Sequence, residues 1–512
     1  MAVKRYGASI DNTITNAFES NLVTRGTGSN MGAADSLEIF SLYGQVSAST
    51  GQTSELARVL IKFPVSASAA GVTSIREDRV AGNIPASGNV NFYLKMYNAE
   101  HPFTLARDFQ LNIYPASSSW EEGFGLDMEE YKDITYNSTG SNWIRASEAS
   151  AWATGSGGGD YRTEYFFTAS FTNGWEDLEV EITPLVERWM QQSGTAKHFD
   201  NHGLLLKLTS THESASISYY TKKFFARSTE FFFKRPVIEA RWDARTKDNR
   251  GNFYYSSSLA PAADNLNTIY LYNYVRGRLV DIPNSASVGT TGSIFVSLYS
   301  GSSTPTGSKL LLPAGGGVVA ASDTNVTGGW ASTGIYSASI AVTASSSPLT
   351  KLFDVWHNGA SGDALTQYYT SSIAPLTQDA YNNAPTFEHI TSVTNLKSQY
   401  SRQEDARFRL FVRQRNWNPN IYDVATATIP NETVQSASYK VIRLTDELEV
   451  IPYGTGSDRH TYLSYDVSGN YFDLDIALLE SDYAYGVKFS YYNPSIKSWI
   501  EQPEIFKFRV EE

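Results

Sequence analysis

His198, Asp200 and His202 have the residue types to ligate a metal, since two imidazoles and a carboxylate at alternate positions of an extended segment can converge on one ion. They stand in the polar turn leading into Gly203-Leu204-Leu205-Leu206, however, so a turn is expected and no metal site. Carboxylate pairs are plentiful, and glycoside hydrolysis needs only two at the right separation. Glu121 with Glu122, Glu129 with Glu130, and Glu176 with Asp177 are sequence neighbours whose side chains point apart in a strand, which reads as solvated surface. Asp473 and Asp475 alternate with Phe472, Leu474 and Ile476 on the outer face of one strand, where a solvated face outweighs a weak calcium site. Gly301 to Lys309 has the look of a phosphate loop, but its glycines are one position too far apart and Ser308 separates Gly307 from Lys309, leaving a hairpin tip. Neither a G-x-S-x-G elbow nor an H-E-x-x-H helix occurs. The expectation is a protein that is not an enzyme and requires no cofactor or metal.

Binding is better represented than catalysis. Trp143, Trp152, Trp175 and Trp330 lie in Gly-, Ser- and Asn-rich surroundings, where an indole plane could stack on a sugar ring or meet a partner. The competing reading is core, because an aromatic side chain buries about 150–250 Å². Arg407, Arg409, Arg413 and Arg415 form the only dense basic run and alternate with Phe408, Leu410 and Val412 over most of it, so they read as the solvated face of one strand. With a net charge of −12, no nucleic-acid partner is expected, since phosphate binding needs a concentrated basic face. The sequence has no cysteine, which excludes disulfides, thiol nucleophiles and thiolate metal sites.

The elements that must position these residues are strands. Thirty-two Tyr and 26 Phe beside 37 Gly, with frequent Ser, Thr and Asn, is the balance of short strands joined by polar turns. Charged residues make up only 18%, so the hydrophilic surface is built largely from hydroxyl and amide groups, as in proteins that persist outside a cell. At 512 residues, about three domains are expected. The fold class expected is all-β, three β-sandwiches in series, jelly-roll and Ig-like, with one short helix in the first. Thr183 is its expected cap, Pro184 its first-turn residue, Leu185, Val186, Trp189 and Met190 its apolar face, and Gly194 its end. Residues 1–31 are polar apart from a weak amphipathic patch of Ile10, Ile14, Phe18 and Leu22, which reads as an N-terminal assembly arm lying on a neighbouring subunit. Residues 32–243 form the first sandwich, 244–265 a turn-rich linker, 266–384 an Ig-like sandwich, and 385–512 a third, with a boundary between Pro375 and Pro385. In the third, Tyr483, Tyr485, Val487, Phe489 and Tyr491 share one face, so a one-residue slip would expose all five.

The phrases Trp120-Glu121-Glu122-Gly123, Thr183-Pro184-Leu185-Val186-Glu187-Arg188-Trp189, Asn201-His202-Gly203-Leu204 and Lys234-Arg235-Pro236-Val237-Ile238-Glu239 follow the run Leu56 to Phe63. Together they resemble the DNRLRE (disaggregatase-related) family of jelly-roll modules over residues 32–243. Asn30-Met31-Gly32 matches its opening turn and Phe224-Phe225-Ala226-Arg227-Ser228 its late aromatic strand, while His202 stands where the family more often has Tyr. Thr333-Gly334-Ile335-Tyr336 and the alternation after it are similar to Ig-like modules of phage fibres and adhesins. The resemblance implies a secreted glycan-active protein or a phage structural protein. Met1 to Ser9 has no apolar core of signal-peptide length, and no run approaches the ~20 apolar residues of a membrane span. Synthesis in a host cytoplasm without export by the usual route is therefore expected, and localisation to a virion released by lysis. The function expected is that of a non-enzymatic bacteriophage virion structural protein of the tail, baseplate, neck or capsid surface, multi-copy, with other virion proteins as partners. The alternative is a glycan-binding adhesin array, virion-borne or secreted, whose partner is host surface glycan.

Overall fold

The computed structural model describes residues 2–44, 54–66, 73–100, 105–136, 139–191, 193–195, 197–284, 287–310, 325–343, 349–359, 366–376, 388–415, 417, 429–454 and 456–512. The chain is all-β, built of sandwich-like curled sheets with little helix. It divides into two compact units, one of Ala2–Asp243 with Thr455–His460, the other of Ala244–Gly454 with Thr461–Glu512.

The strands of the first unit are β1 (Val3–Gly7), β2 (Ile10–Thr15), β3 (Ser36–Leu42), β4 (Glu55–Lys62), β5 (Asn91–Met96), β6 (Phe109–Pro115), β7 (Met128–Glu129), β8 (Lys132–Asp133), β9 (Phe167–Phe171), β10 (Leu178–Glu181), β11 (Leu204–Leu208), β12 (Tyr219–Phe225) and β13 (Val237–Arg241). One sheet has the order β1-β13-β5-β10, the other β12-β3-β4-β11-β6-β9 with β2 also paired to β4. Alternation decides which side chains meet between them. Phe92, Leu94, Met96 and Ile238 of the first sheet join Leu37, Ile39, Val59, Ile61, Leu204 and Leu206 of the second in one core. Leu60 and Leu205 point the other way, into a small second core with Ile14, Trp120, Ala146 and Trp152. The Leu204-Leu205-Leu206 run is thus apolar throughout because this part of the sheet is covered on both faces. Gly203 enters β11 at φ 93°, where an added Cβ would lie 2.4 Å from the Ile61 carbonyl oxygen.

Three expectations for this unit are corrected. Residues 1–31 are no arm: β1 pairs in register with β13 and β2 with β4, so Ile14 is fully buried, Phe18 nearly so, and Ile10 and Leu22 half-buried. These two strands complete the unit's own sheets. Among the described residues the helix is accompanied by two others, giving α1 (Ile75–Val80), α2 (Thr183–Met190) and α3 (Ser210–Glu213). In α2, Leu185, Val186 and Trp189 are buried, but the helix stops at Met190, short of Gly194, and Thr183 Oγ1 accepts from the Phe92 amide at 2.8 Å instead of capping. Its last carbonyls are taken by Arg76 of α1, whose Nη2 donates to Trp189 O at 2.9 Å and Gln191 O at 3.0 Å.

In the second unit, six antiparallel strands run in the order Asn267–Tyr272, Ile335–Ile340, Val326–Ser332, Ile294–Ser300, Leu352–His357, Gln367–Ile373. Val326–Ser332 changes partner midway: Val326 to Gly328 pair with Ile294–Ser300, and the rest with Ile335–Ile340. Gly328 permits the crossing, since a Cβ there would meet the Ser337 carbonyl oxygen at 2.5 Å. The expected linker, 244–265, is built in. Phe253 and Tyr255 are core residues beside Ile269, Val296 and Trp356, and Arg250 forms a bidentate pair with buried Asp354 at 2.6 and 2.8 Å. Two aromatic side chains outweigh the polar turn signals around them. The boundary expected at Pro375 to Pro385 falls largely outside the described residues.

The C-terminal sandwich has a four-stranded sheet (His389–Val393, Asp405–Gln414, Gly469–Asp475, Ser464–Asp466) and a six-stranded one. The latter runs Gln399–Ser401, Phe506–Glu511, Ala484–Asn493, Ala437–Arg443, Glu449–Ile451, with Ser498–Glu501 also on Ala484–Asn493. Tyr485, Val487, Phe489 and Tyr491 are buried as the alternation requires, and Tyr483 is half-buried. Phe408 stacks on Phe472 at 4.9 Å and Tyr439 on Phe472 at 4.1 Å.

Candidate functional site

The four candidate tryptophans part company. Trp152 is buried in the small second core, its Nε1 donating to Asn142 O at 2.9 Å, and half-buried Trp143 packs against the same core with the Arg58 guanidinium 5.0 Å over its ring. Trp152 is therefore framework and no glycan contact. Trp175 is 61% exposed in the first unit and Trp330 42% exposed in the second. Trp330 is held by its Nε1, which donates to Asp281 Oδ1 at 2.9 Å.

The charged candidates are mostly tied to protein. His198 Nε2 lies 3.1 Å from Asp200 Oδ1, whereas the His202 carbonyl accepts from Trp120 Nε1. Among the described residues no three His, Asp or Glu side chains converge as a metal site. Asp473 and Asp475 do not converge on an ion: Asp473 takes a bidentate bond from Arg407 at 2.7 and 3.0 Å, and Asp475 caps the Ala477 amide. Arg409 pairs likewise with Asp466, and Arg415 with Glu388 at 2.9 Å, so the basic run is largely neutralised by its own surroundings. Glu122 is not solvated surface. It binds the Arg227 guanidinium at 2.5 and 2.6 Å and accepts from the Asp11 amide. Burial, with the Glu122 charge adding to it and Arg227 opposing, pushes the Asp11 carboxyl up to about 7. Asp11 itself is 2% exposed, and its Oδ2 accepts from the Arg227 amide at 2.7 Å, so both carboxylates are engaged by the protein's own groups. Glu176 accepts from the amides of Thr172, Asn173 and Gly174; burial acts upward on its carboxyl, and these bonds outweigh it and hold it below the usual range.

Two further surfaces among the described residues are open to a partner. In the first unit, Ser36, Glu38 and Phe40 of β3, Thr221 and Lys223 of β12, and Thr13 and Thr15 of β2 line a groove of about 250 Å³. The β7–β8 hairpin closes one side. Its tip, Glu130 and Tyr131, takes two left-handed residues in succession (φ 45° and 63°), a turn that favours Asn-Gly. Packing holds the tip: the Tyr131 ring meets Phe40 edge-on at 5.2 Å, and its hydroxyl accepts from Thr221 Oγ1 at 2.9 Å. Burial pushes that phenol up. Glu38, Glu100 and Glu130 face the groove with Lys223 as the single cation among the described residues, 3.6 Å from Glu38, so the lining favours cationic or hydroxyl-bearing groups.

In the second unit, Ser498–Glu501 forms an edge strand exposed at all four residues and paired, among the described residues, only with Ala484–Asn493. The turn before it is set by Asn493, whose Oδ1 accepts from the Ser495 amide at 2.9 Å, and by Lys497 at φ 51°. Glu501 clamps the far end. It binds Lys440 at 3.0 Å, Lys488, and the Tyr453 hydroxyl; burial acts upward on its carboxyl, and the two lysines hold it below the usual range. Trp499 lies between Tyr462 at 5.2 Å and Tyr492 at 5.7 Å, and remains 38% exposed beside Ile500 at 36%.

No family model matches the chain, and no curated protein matches it either. Neither open surface was foreseen. The hairpin tip lacks the glycine that would announce it, whereas Trp499-Ile500 after the turn signal Asn493-Pro494-Ser495 was a readable cue.

Proposed function

We propose that the chain is a non-enzymatic structural protein of a bacteriophage virion, a multi-copy part of the tail, baseplate, neck or capsid surface that works by docking on neighbouring subunits. The carrying observation is the open edge at Ser498–Glu501. Natural edge strands are usually blunted by charge or proline, because unpaired backbone groups template further pairing. Here the one charge, Glu501, is drawn onto Lys440 and Lys488, and the apolar pair Trp499 and Ile500 is left on the edge. The occupant that suits it is an extended segment of a neighbouring virion protein, adding as a further strand through main-chain hydrogen bonds. The likeness of residues 32–243 to DNRLRE jelly-roll modules, and of the segment from Thr333 to fibre and adhesin modules, supports the virion setting. Quantifying the chain in particles purified from a lysate of producing cells tests the proposal. A fixed copy number per particle is expected, and absence from the particles overturns it.

One observation favours a second reading, a glycan-binding module array. Trp330 is exposed and its indole is fixed by Asp281, the arrangement needed to stack on a sugar ring. Glycan-array binding abolished by Trp330→Ala is the result that this reading requires.

A further inference from the structure

We propose that Lys222 and Asn98 become joined by an amide bond between lysine Nζ and asparagine Cγ, an intramolecular crosslink in a chain without cysteine. Lys222 in β12 is 1% exposed, and its hydrogen-bond acceptors are Asn98 Oδ1 at 2.8 Å, Gly174 O at 2.9 Å and Glu176 O at 2.6 Å. All three are uncharged oxygens. The rings of Phe171 and Phe224 complete the surroundings, 4.8 and 4.9 Å from Nζ. Lys207 shows how this unit ordinarily buries an ammonium: it is 4% exposed and has Glu213 Oε2 at 2.6 Å. Without such a partner among the described residues, burial lowers Lys222 to about 8, the charges of Glu176 and Asp177 opposing, so part of the population carries a neutral, nucleophilic amine near neutral pH.

The electrophile is the carboxamide that this amine already touches. Attack needs Nζ to pass from the oxygen to the carbon of the same group, a rotation about the last bonds of the lysine side chain. The Nζ lone pair then forms the Nζ–Cγ bond, the Cγ–Nδ2 bond breaks, and the nitrogen leaves as ammonia with the proton that the amine gives up. Amine plus primary amide become secondary amide plus ammonia, with no oxidant and no cofactor. We assign the proton transfer to Asp177, whose Oδ1 accepts from the Asn98 backbone amide at 2.7 Å and whose charge acts on the Lys222 ammonium. The product would close a loop between residues 124 positions apart, restricting the unfolded chain as a long-range disulfide does.

The test is the intact mass of the denatured full-length wild-type protein, followed by a tryptic digest. The mass should fall short of the sequence mass by one ammonia, and the digest should contain a branched peptide joining the Asn98 and Lys222 segments. Lys222→Arg and Asn98→Ala should each restore the full mass, and Asp177→Ala should restore most of it. A wild-type protein of full sequence mass, cut by trypsin after Lys222, overturns the proposal. So does an ammonia deficit that maps to a succinimide at Asn173-Gly174 or Asn358-Gly359 with no branched peptide.

Discussion

The excursion between β6 and β9 and the hairpin ending in Ser498–Glu501 are both aromatic segments set among polar residues, and they end in opposite states. In the excursion, Trp120 and Trp152 find backbone acceptors for their indole N–H groups, His202 O at 2.8 Å and Asn142 O at 2.9 Å, and lie over Ile14, Leu60 and Leu205. The sheet there offers a second apolar face, and the chain covers it with its own residues. The Trp499 hairpin has one neighbouring strand and no covering segment among the described residues, so its aromatic and aliphatic side chains stay at the surface. A tryptophan among glycines and serines becomes framework where a doubly apolar sheet lies beneath it, and a contact surface where only an edge does.

This contrast can be broken at several points. The largest effects belong to the framework side. Trp189→Ala, which empties a fully buried site under α2, and Trp152→Ala should each cost about 3–5 kcal/mol in denaturant unfolding followed by fluorescence. A Trp152 variant as stable as wild type would mean that the excursion is not held by its second core.

Asp11→Asn has an effect whose size depends on pH. The folded Asp11 carboxyl lies at about 7, above its ordinary value of 3.8, so its stabilising contribution is complete below about pH 4 and is lost as pH rises through 7. The asparagine variant should match wild type at pH 4 and exceed it at pH 8, by on the order of 2 kcal/mol. Melting temperatures of the two proteins across that range check it, and parallel curves would show that Asp11 ionises freely.

The smallest effects belong to the open edge. Ile500→Lys should change stability by no more than about 0.5 kcal/mol, and Trp499→Ser, which gives up the ring contacts with Tyr462 and Tyr492, by about 0.5–1.5 kcal/mol. A larger loss would class the edge with the framework.

Features with local causes were legible in the sequence. The buried face from Tyr485 to Tyr491, the Leu204 to Leu206 run and the apolar face of α2 each follow from spacing within one element. Features that depend on distant partners were not. Ile10, Ile14, Phe18 and Leu22, read at a spacing of four, suggested an amphipathic arm, because nothing near them reveals that β2 is completed by β4 some forty residues on. Glu122 looked solvated because its partner Arg227 is 105 positions away. Lys222 and Lys223 are adjacent and look alike, yet the strand sends one among aromatic rings and the other to the groove.

Incorporation of an edge variant into particles tests docking through the Ser498–Glu501 edge. A chain carrying Trp499→Lys and Ile500→Lys, produced beside the remaining virion proteins, should stay folded and soluble and be missing from purified particles. Incorporation at the wild-type copy number would contradict docking through this edge.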